Sequence, residues 1–226
     1  MHDRVSEQGA DAGTLTGRSL ERTEPPGTAR GVVLMLHGGT QHSIDPVGPR
    51  SGSLIRTRAM RDRLAPKILE AGHAVWLLRY GTRGWNATSP EGPSPIQDAR
   101  WALDQVREAH DHVPVVLLGH SMGGRTATQV ADDPNVLGVV GLAPWFEPGD
   151  PVAPLAGKTF VAGHGLRDRI TSARATRSYV DRARRLAASA EFFPLGLAGH
   201  YMLYRPGMWN RFALEHSLAV LARSGS

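Results

Sequence analysis

Six short runs rich in valine and leucine recur along the chain, bounded by glycine, proline or charged residues and separated by longer amphipathic stretches. They are GVVLMLHG (31–38), HAVWLLRY (73–80), VPVVLLGH (113–120), VLGVVGLA (136–143), KTFVAGHG (158–165) and AEFFPLGL (190–197). Apolar runs of this length, without polar alternation, read as strands buried on both faces, and such strands need helices above and below them. The spacing predicts an α/β fold with a doubly wound, mostly parallel sheet of these six strands, flanked by helices on right-handed crossovers.

The intervening stretches carry helical signals. The clearest is 95–110, where Ser94 is placed to cap, Pro95 suits the first helical position and Gln97 completes a capping box. Ile96, Ala99, Leu103 and Val106 fall three or four residues apart and form one stripe that can cover the sheet. Stretches 54–71, 122–132, 172–189 and 207–222 show looser versions of the same spacing, and Pro66 is expected to kink or divide the first of them. Residues 1–30 fit the pattern poorly. TLTGRSLERT (14–23) reads as an edge strand or hairpin behind a flexible tail, which gives an N-terminal segment, 1–30, and one domain, 31–226.

Composition narrows the chemistry. The chain has no cysteine, which excludes disulfides, thiolate metal sites and cysteine nucleophiles. The first thirty residues hold no apolar core of the kind a signal peptide needs, and no apolar run approaches the roughly 20 residues of a membrane span. The expectation is a soluble, cytoplasmic protein with no membrane span. The net charge of +5 raises the question of nucleic acid, but acidic residues interrupt the arginine-rich stretches RTRAMRDRLAPK and YVDRARRLAASAE. Those stretches read as solvated helix faces, so no nucleic-acid partner is expected. Oligomeric state leaves no signature.

The third run leads into VVLLGHSMGG (115–124), which places Ser121 on a strand-to-helix turn between Gly119 and Gly123. Glycines two before and two after remove Cβ atoms that would strike neighbouring backbone, and the turn thrusts the serine hydroxyl outward at the carboxyl edge of the sheet. A serine needs a base, and the base needs an orienting group. Downstream, Asp168 follows the run 158–165 and His200 follows the run 190–197, so both emerge at the same edge as Ser121. Asp150, Glu147 and Asp181 are the rival acids. Among the other histidines, His120 is expected to point away from the serine, His37 and His164 lie on or just after strands, and His110, His112 and His216 read as helix-end surface residues. A developing oxyanion needs two N–H donors: Met122, at a helix N-terminus, is one, and Gly39 is the other, with Thr40 as its rival.

LMLHGG, LLGHSMGG, GHGLRDRI and LAGHYM, in this order, resemble the motifs of the α/β-hydrolase family, from about residue 30 to the end of the chain. The resemblance implies a serine hydrolase with Ser121 as nucleophile, His200 as general base, Asp168 as its orienting acid, and no metal or organic cofactor. RYGTRGWN and PIQDARWALDQV are similar to segments of the small dienelactone-hydrolase and acyl-peptidase-like branch. Dienelactone hydrolases use cysteine as nucleophile, so their particular substrate does not carry over to a chain without one. Many members insert a helical cap where this chain has only residues 144–157, which implies a minimal or absent cap and an open cleft. Trp85, Trp145, Phe146 and Tyr201 fall on loops at the active edge, either as an apolar wall for substrate or as packing beneath the loops. His42 and Arg50 sit on a polar loop, 40–53, that is either solvated or in contact with substrate.

The reaction this implies is cleavage of a small-molecule carboxylic ester or thioester through an acyl-enzyme on Ser121. The same groups serve peptidase, acyltransferase and cofactor-free perhydrolase or lyase chemistry. The scaffold also serves non-catalytic ligand binding, against which the complete set of candidate groups speaks.

Overall fold

A computed structural model describes residues 17–223. Its strands are β1 (Ser19–Thr23), β2 (Val32–Leu36), β3 (Ala74–Arg79), β4 (Val115–His120), β5 (Val136–Leu142), β6 (Thr159–His164) and β7 (Ser189–Pro194). Its helices are α1 (Gly52–Glu70), α2 (Ser94–His110), α3 (Met122–Gln129), α4 (Ala173–Ala183) and α5 (Pro206–Ala222). One sheet contains all seven strands in the order β1-β3-β2-β4-β5-β6-β7. β1 runs antiparallel to β3 and every other neighbouring pair is parallel. The six runs picked from the sequence are β2 to β7. β1 falls within TLTGRSLERT, while the tail expected ahead of it lies outside the described residues.

Every residue of β2 and β4 is buried. Because successive side chains point to opposite faces, burial without alternation means that both faces are covered. α1 packs against β3 and α5, and α2 packs against α3. From β2 the chain steps outward to β3 and then returns to β4 on the other side of β2. That reversal opens a crevice at the carboxyl ends of β2 and β4, the usual place for a ligand in an open α/β sheet.

Four local expectations need correction. α1 continues through Pro66 undivided, since a proline removes one backbone bond while flanking turns and packing against β3 remain. Ser94 is the first residue of α2 and does not cap it; Pro93 takes the cap position without a side-chain bond. The Ser94 hydroxyl is engaged with Thr82 Oγ1 at 2.9 Å, and the Gln97 amide donates to the Glu91 carbonyl at 2.8 Å, so tertiary partners replace the capping box. α4 ends at Ala183, because the chain must turn to enter β7, where the Ala188 N–H donates to the Lys158 carbonyl. His216 lies inside α5, half-buried against Phe193 and Phe212, and is not at a helix end. Residues 144–157 hold only a three-residue 3-10 turn, Ala153–Leu155, and no cap covers the sheet edge among the described residues.

Candidate active site

The turn after β4 is built by exclusion. A Cβ on Gly119 would lie 2.3 Å from the Gly123 carbonyl oxygen, and one on Gly123 would lie 2.1 Å from the Leu36 carbonyl oxygen. Only hydrogen fits at either place. Between them Ser121 adopts φ 54°, ψ −118°, a conformation that side chains seldom take and that the surrounding structure must enforce. Its N–H donates to the Leu142 carbonyl at 3.0 Å, and its own carbonyl accepts from Gly124, Arg125 and Trp145. The turn is thus tied to β5, to α3 and to the segment after β5.

Asp168 and His200 arrive on two loops that are fastened together. With neighbouring strands about 4.8 Å apart, β7 lies roughly 14 Å from β4 across the sheet, so the loop after β7 must arch back over the strand ends. It does so in contact with the loop after β6. The N–H groups of Leu166 and Arg167 donate to the carbonyls of Gly196 and Ala198 at 2.7 and 3.2 Å. Gly165 lies so close that a Cβ there would sit 2.1 Å from the Ala198 oxygen.

These loops bring the three side chains together. His200 Nδ1 lies 2.8 Å from Asp168 Oδ2, and His200 Nε2 lies 3.0 Å from Ser121 Oγ. A carboxylate only accepts, so Nδ1 carries the proton and Nε2 presents its lone pair to the serine hydroxyl. Ser121 and His200 are both mostly buried, at 7% and 6% exposure, and the Asp168 side chain is fully buried.

Asp168 has more partners than the sequence suggested. Its Oδ2 also accepts from Thr171 Oγ1 at 2.9 Å and from His164 Nε2 at 3.1 Å, while Oδ1 accepts the N–H groups of Ile170 and Thr171. Burial alone would push its pKa up. The hydrogen bonds from His164, His200, Thr171 and Ile170 outweigh that and hold the carboxyl well below the usual carboxylate range. It is an anion at any ordinary pH. His164, fully buried, is oriented in turn by Thr176, whose hydroxyl lies 2.9 Å from Nδ1. The signal that could have revealed it is its position, last in β6 and four residues before the acid.

His120, the residue before the serine, reaches the loop that carries His200. Its Nε2 donates to the backbone carbonyl of His200 at 3.0 Å, and the two rings lie 4.9 Å apart. Burial, with repulsion from His200 added, pushes its pKa down to about 3, so the ring stays neutral beside the His200 ring. His37, buried after β2, hydrogen-bonds the Gly38 carbonyl through Nδ1 at 2.6 Å and accepts the Tyr80 N–H. Burial lowers its pKa to about 4.

The rival acids are engaged elsewhere. Asp150 holds the Arg125 guanidinium at 2.6 Å, Glu147 accepts the Trp145 indole N–H at 2.8 Å, and Asp181 pairs with Arg184 at 2.8 Å. Gly39 packs so tightly that a Cβ would lie 2.4 Å from the Arg83 oxygen and 2.5 Å from Met122 Cε. Its neighbour Gly38 lies against Ser121. Among the described residues, the N–H groups of Met122 and Gly39 have no hydrogen-bond partner in the protein, whereas that of Thr40 is taken by the Arg83 carbonyl at 2.9 Å.

The four aromatic residues part company. Phe146 is core: it stacks on Tyr179 with centroids 3.8 Å apart and meets Phe160 edge-on. Trp85, also buried, and Trp145 meet edge-on, and the Arg125 guanidinium lies over both, 4.4 Å from each ring. Tyr201, next to His200, is exposed and lines two cavities, one of which borders the Gly38–Gly39 turn. Arg50 lines one of them, and His42 lies exposed on its loop. Among the described residues no group of three or more histidine or acidic side chains is placed to hold a metal ion, and no helix is long and apolar enough to cross a membrane.

The alpha/beta hydrolase fold family matches residues 31–213. No curated protein matches the sequence. Solved structures with the same fold include an alpha-beta serine hydrolase homologue from Coxiella burnetii, 16% identical, covering 88% of this chain and 91% of that one with a TM-score of 0.65. Est1E from Butyrivibrio proteoclasticus, in a structure with bound ferulic acid, is 13% identical and covers 91% of this chain and 96% of that one with a TM-score of 0.67. An a/b serine hydrolase without lid from Xanthomonas campestris is 16% identical, covering 89% of this chain and 88% of that one with a TM-score of 0.61.

Proposed function

The chain belongs to the alpha/beta hydrolase fold family, and from that premise we propose that it is a serine hydrolase cleaving carboxylic esters or thioesters through an acyl-enzyme on Ser121. The observation that carries the proposal is the unbroken chain of hydrogen bonds from Asp168 through His200 to Ser121, at 2.8 and 3.0 Å. Each group then has one task. Ser121 Oγ attacks the substrate carbonyl carbon as His200 Nε2 takes its proton, and buried Asp168 stabilises the imidazolium that forms. The negative charge on the carbonyl oxygen falls to the free N–H groups of Met122 and Gly39, which cost no reorganisation because the turns already hold them. His200 returns the proton to the leaving alcohol or thiol. Water, activated by the same imidazole, releases the acid and restores the serine.

The lack of a cap among the described residues supports the reading of a cleft open to small-molecule esters, and His164, Thr171 and His120 support that of a base held in one orientation. The test is covalent. A fluorophosphonate should label the intact protein and not Ser121→Ala, and p-nitrophenyl acetate should give an initial burst of p-nitrophenol. Equal labelling of both proteins would dismiss Ser121 as the nucleophile.

A further inference from the structure

Two cavities share Arg56 and Tyr201 as a partition, beside the loop that carries His200. The first, about 440 Å³, lies between α1 and α5 and has a largely apolar wall that includes Met60, Met202, Leu203 and Trp209. The second, about 370 Å³, borders the Gly38–Gly39 turn and is different in kind. Three arginines line it, Arg50, Arg56 and Arg83, together with the hydroxyls of Thr40, Ser51 and Ser53, and no carboxylate does.

The charges in this second cavity are not spent inside the protein. Arg58 and Arg61, on the same helix as Arg56, both pair with Glu21. Arg56 and Arg50 have no carboxylate partner among the described residues; Arg56 lies over the Tyr201 ring at 4.9 Å, and its Nε is buried without a hydrogen bond. Burial lowers the Arg56 pKa, with Tyr201 opposing, as expected of a charge partly removed from water with no carboxylate beside it. The N-terminus of the 19-residue helix α1 opens into the same space: Ser51 makes no capping bond, the first turn has no acidic residue, and the N–H groups of residues 52–54 are free. Three guanidinium groups and an uncapped helix N-terminus make a strongly positive recess beside the reacting serine.

We propose that this recess receives an anionic group, a carboxylate or a phosphate, carried by the ester that Ser121 cleaves, so that the favoured substrates are anionic esters. The inference rests on the serine-hydrolase reading and adds the substrate's charge to it. Arg50 and Arg56 take the anion directly, with the amides of α1 behind it. The neutral remainder of the substrate lies toward the apolar cavity.

Matched substrates test it. Hydrolysis of p-nitrophenyl hydrogen glutarate would be compared with that of p-nitrophenyl butyrate, and 2-(butyryloxy)ethyl phosphate with ethyl butyrate, at low and high salt. At least one anionic ester should exceed its neutral counterpart by about tenfold or more in kcat/KM, the worth of one charge-assisted hydrogen bond. Which pair shows it separates carboxylate from phosphate. The preference should shrink with salt and fall about tenfold in Arg50→Gln and in Arg56→Gln. A binding arm is independent of turnover: inorganic phosphate or glutarate should raise the Tm of Ser121→Ala but not that of its Arg50→Gln double variant. Neutral esters cleaved as well as anionic ones, with no rise in Tm, would overturn the proposal. A rise in Tm without cleavage of any ester would keep the anion site and sink the ester reading instead.

Discussion

The turn that carries Ser121 and the arch that carries His200 are joined by hydrogen bonds from Ser121 and His120 to His200, but they are built by different physics. The turn is held by backbone alone: Gly119 and Gly123 have no room for a single carbon, and the strained φ of Ser121 is imposed by bonds to Leu142, Gly124, Arg125 and Trp145. The arch runs over the surface, with Leu197, Tyr201 and Leu203 exposed, and its precision comes from side chains. Asp168, His164, Thr171 and His120 each grip the loop or the imidazole. A steric lock fails all at once, because protein interiors cannot absorb an extra atom without shifting their neighbours. A network of hydrogen bonds weakens member by member.

The comparison predicts where activity and stability separate, and the largest effect is chemical. Ser121→Ala should lower esterase turnover by about 10⁴-fold or more while changing stability by no more than about 0.5 kcal/mol, read by steady-state kinetics and thermal unfolding. Doubling it with His200→Ala should cost little more, since the groups act as a unit; multiplicative losses would break the assignment. Gly123→Ala should lower stability and activity together. By driving a Cβ into the Leu36 carbonyl it should cost about 3 kcal/mol or more of stability and take activity with it, as chemical denaturation would show.

Smaller effects belong to the arch. Asp168→Asn should lower kcat by about 10²- to 10⁴-fold, because an amide can present its N–H to Nδ1 and favour the wrong tautomer. His164→Gln, a change to a positioning residue, should lower kcat by about tenfold with KM nearly constant, and its pH profile should move with the environment of the base. A falling KM-only effect would argue for a purely structural role. A separate effect is on stability against pH. His120 and His37 have folded pKa values lowered to about 3 and about 4, against 6.5 when unfolded, so the unfolded chain binds protons that the folded one refuses as pH drops below 6.5. Stability should be complete above that pH and fall by about 1.4 kcal/mol per histidine per pH unit down through the folded values. Asp168, lowered below 3.8, adds its loss only beneath that. Urea midpoints between pH 7 and 4 would check the slope, and His120→Asn should flatten it.

What was legible in the sequence was local. The six parallel strands could be read because burial on both faces forces unbroken apolar runs, and the serine turn because only glycine tolerates that approach of backbone to backbone. Ser121 was named from the glycines around it and its place after a strand, and Asp168 and His200 from their places just beyond strand ends together with the resemblance of their segments to α/β-hydrolase motifs. The helix ends were less readable: Ser94 looks like a cap in isolation but is claimed by Thr82, a partner twelve residues away. Phe146 looks like a loop aromatic, and only the stack with Tyr179 makes it core.

The chain's own order of residues determined a parallel sheet, its carboxyl edge, and a glycine-walled serine turn on that edge, since periodicity and steric exclusion act over a few residues. The tertiary structure alone decided that a second histidine would share Asp168, that His120 would carry the His200 carbonyl, and that three arginines from separate segments would face one cavity with no acid among them. Those contacts join residues up to 80 positions apart, and they exist only because β7 and its neighbours are laid down in that order, which brings their loops back over β4.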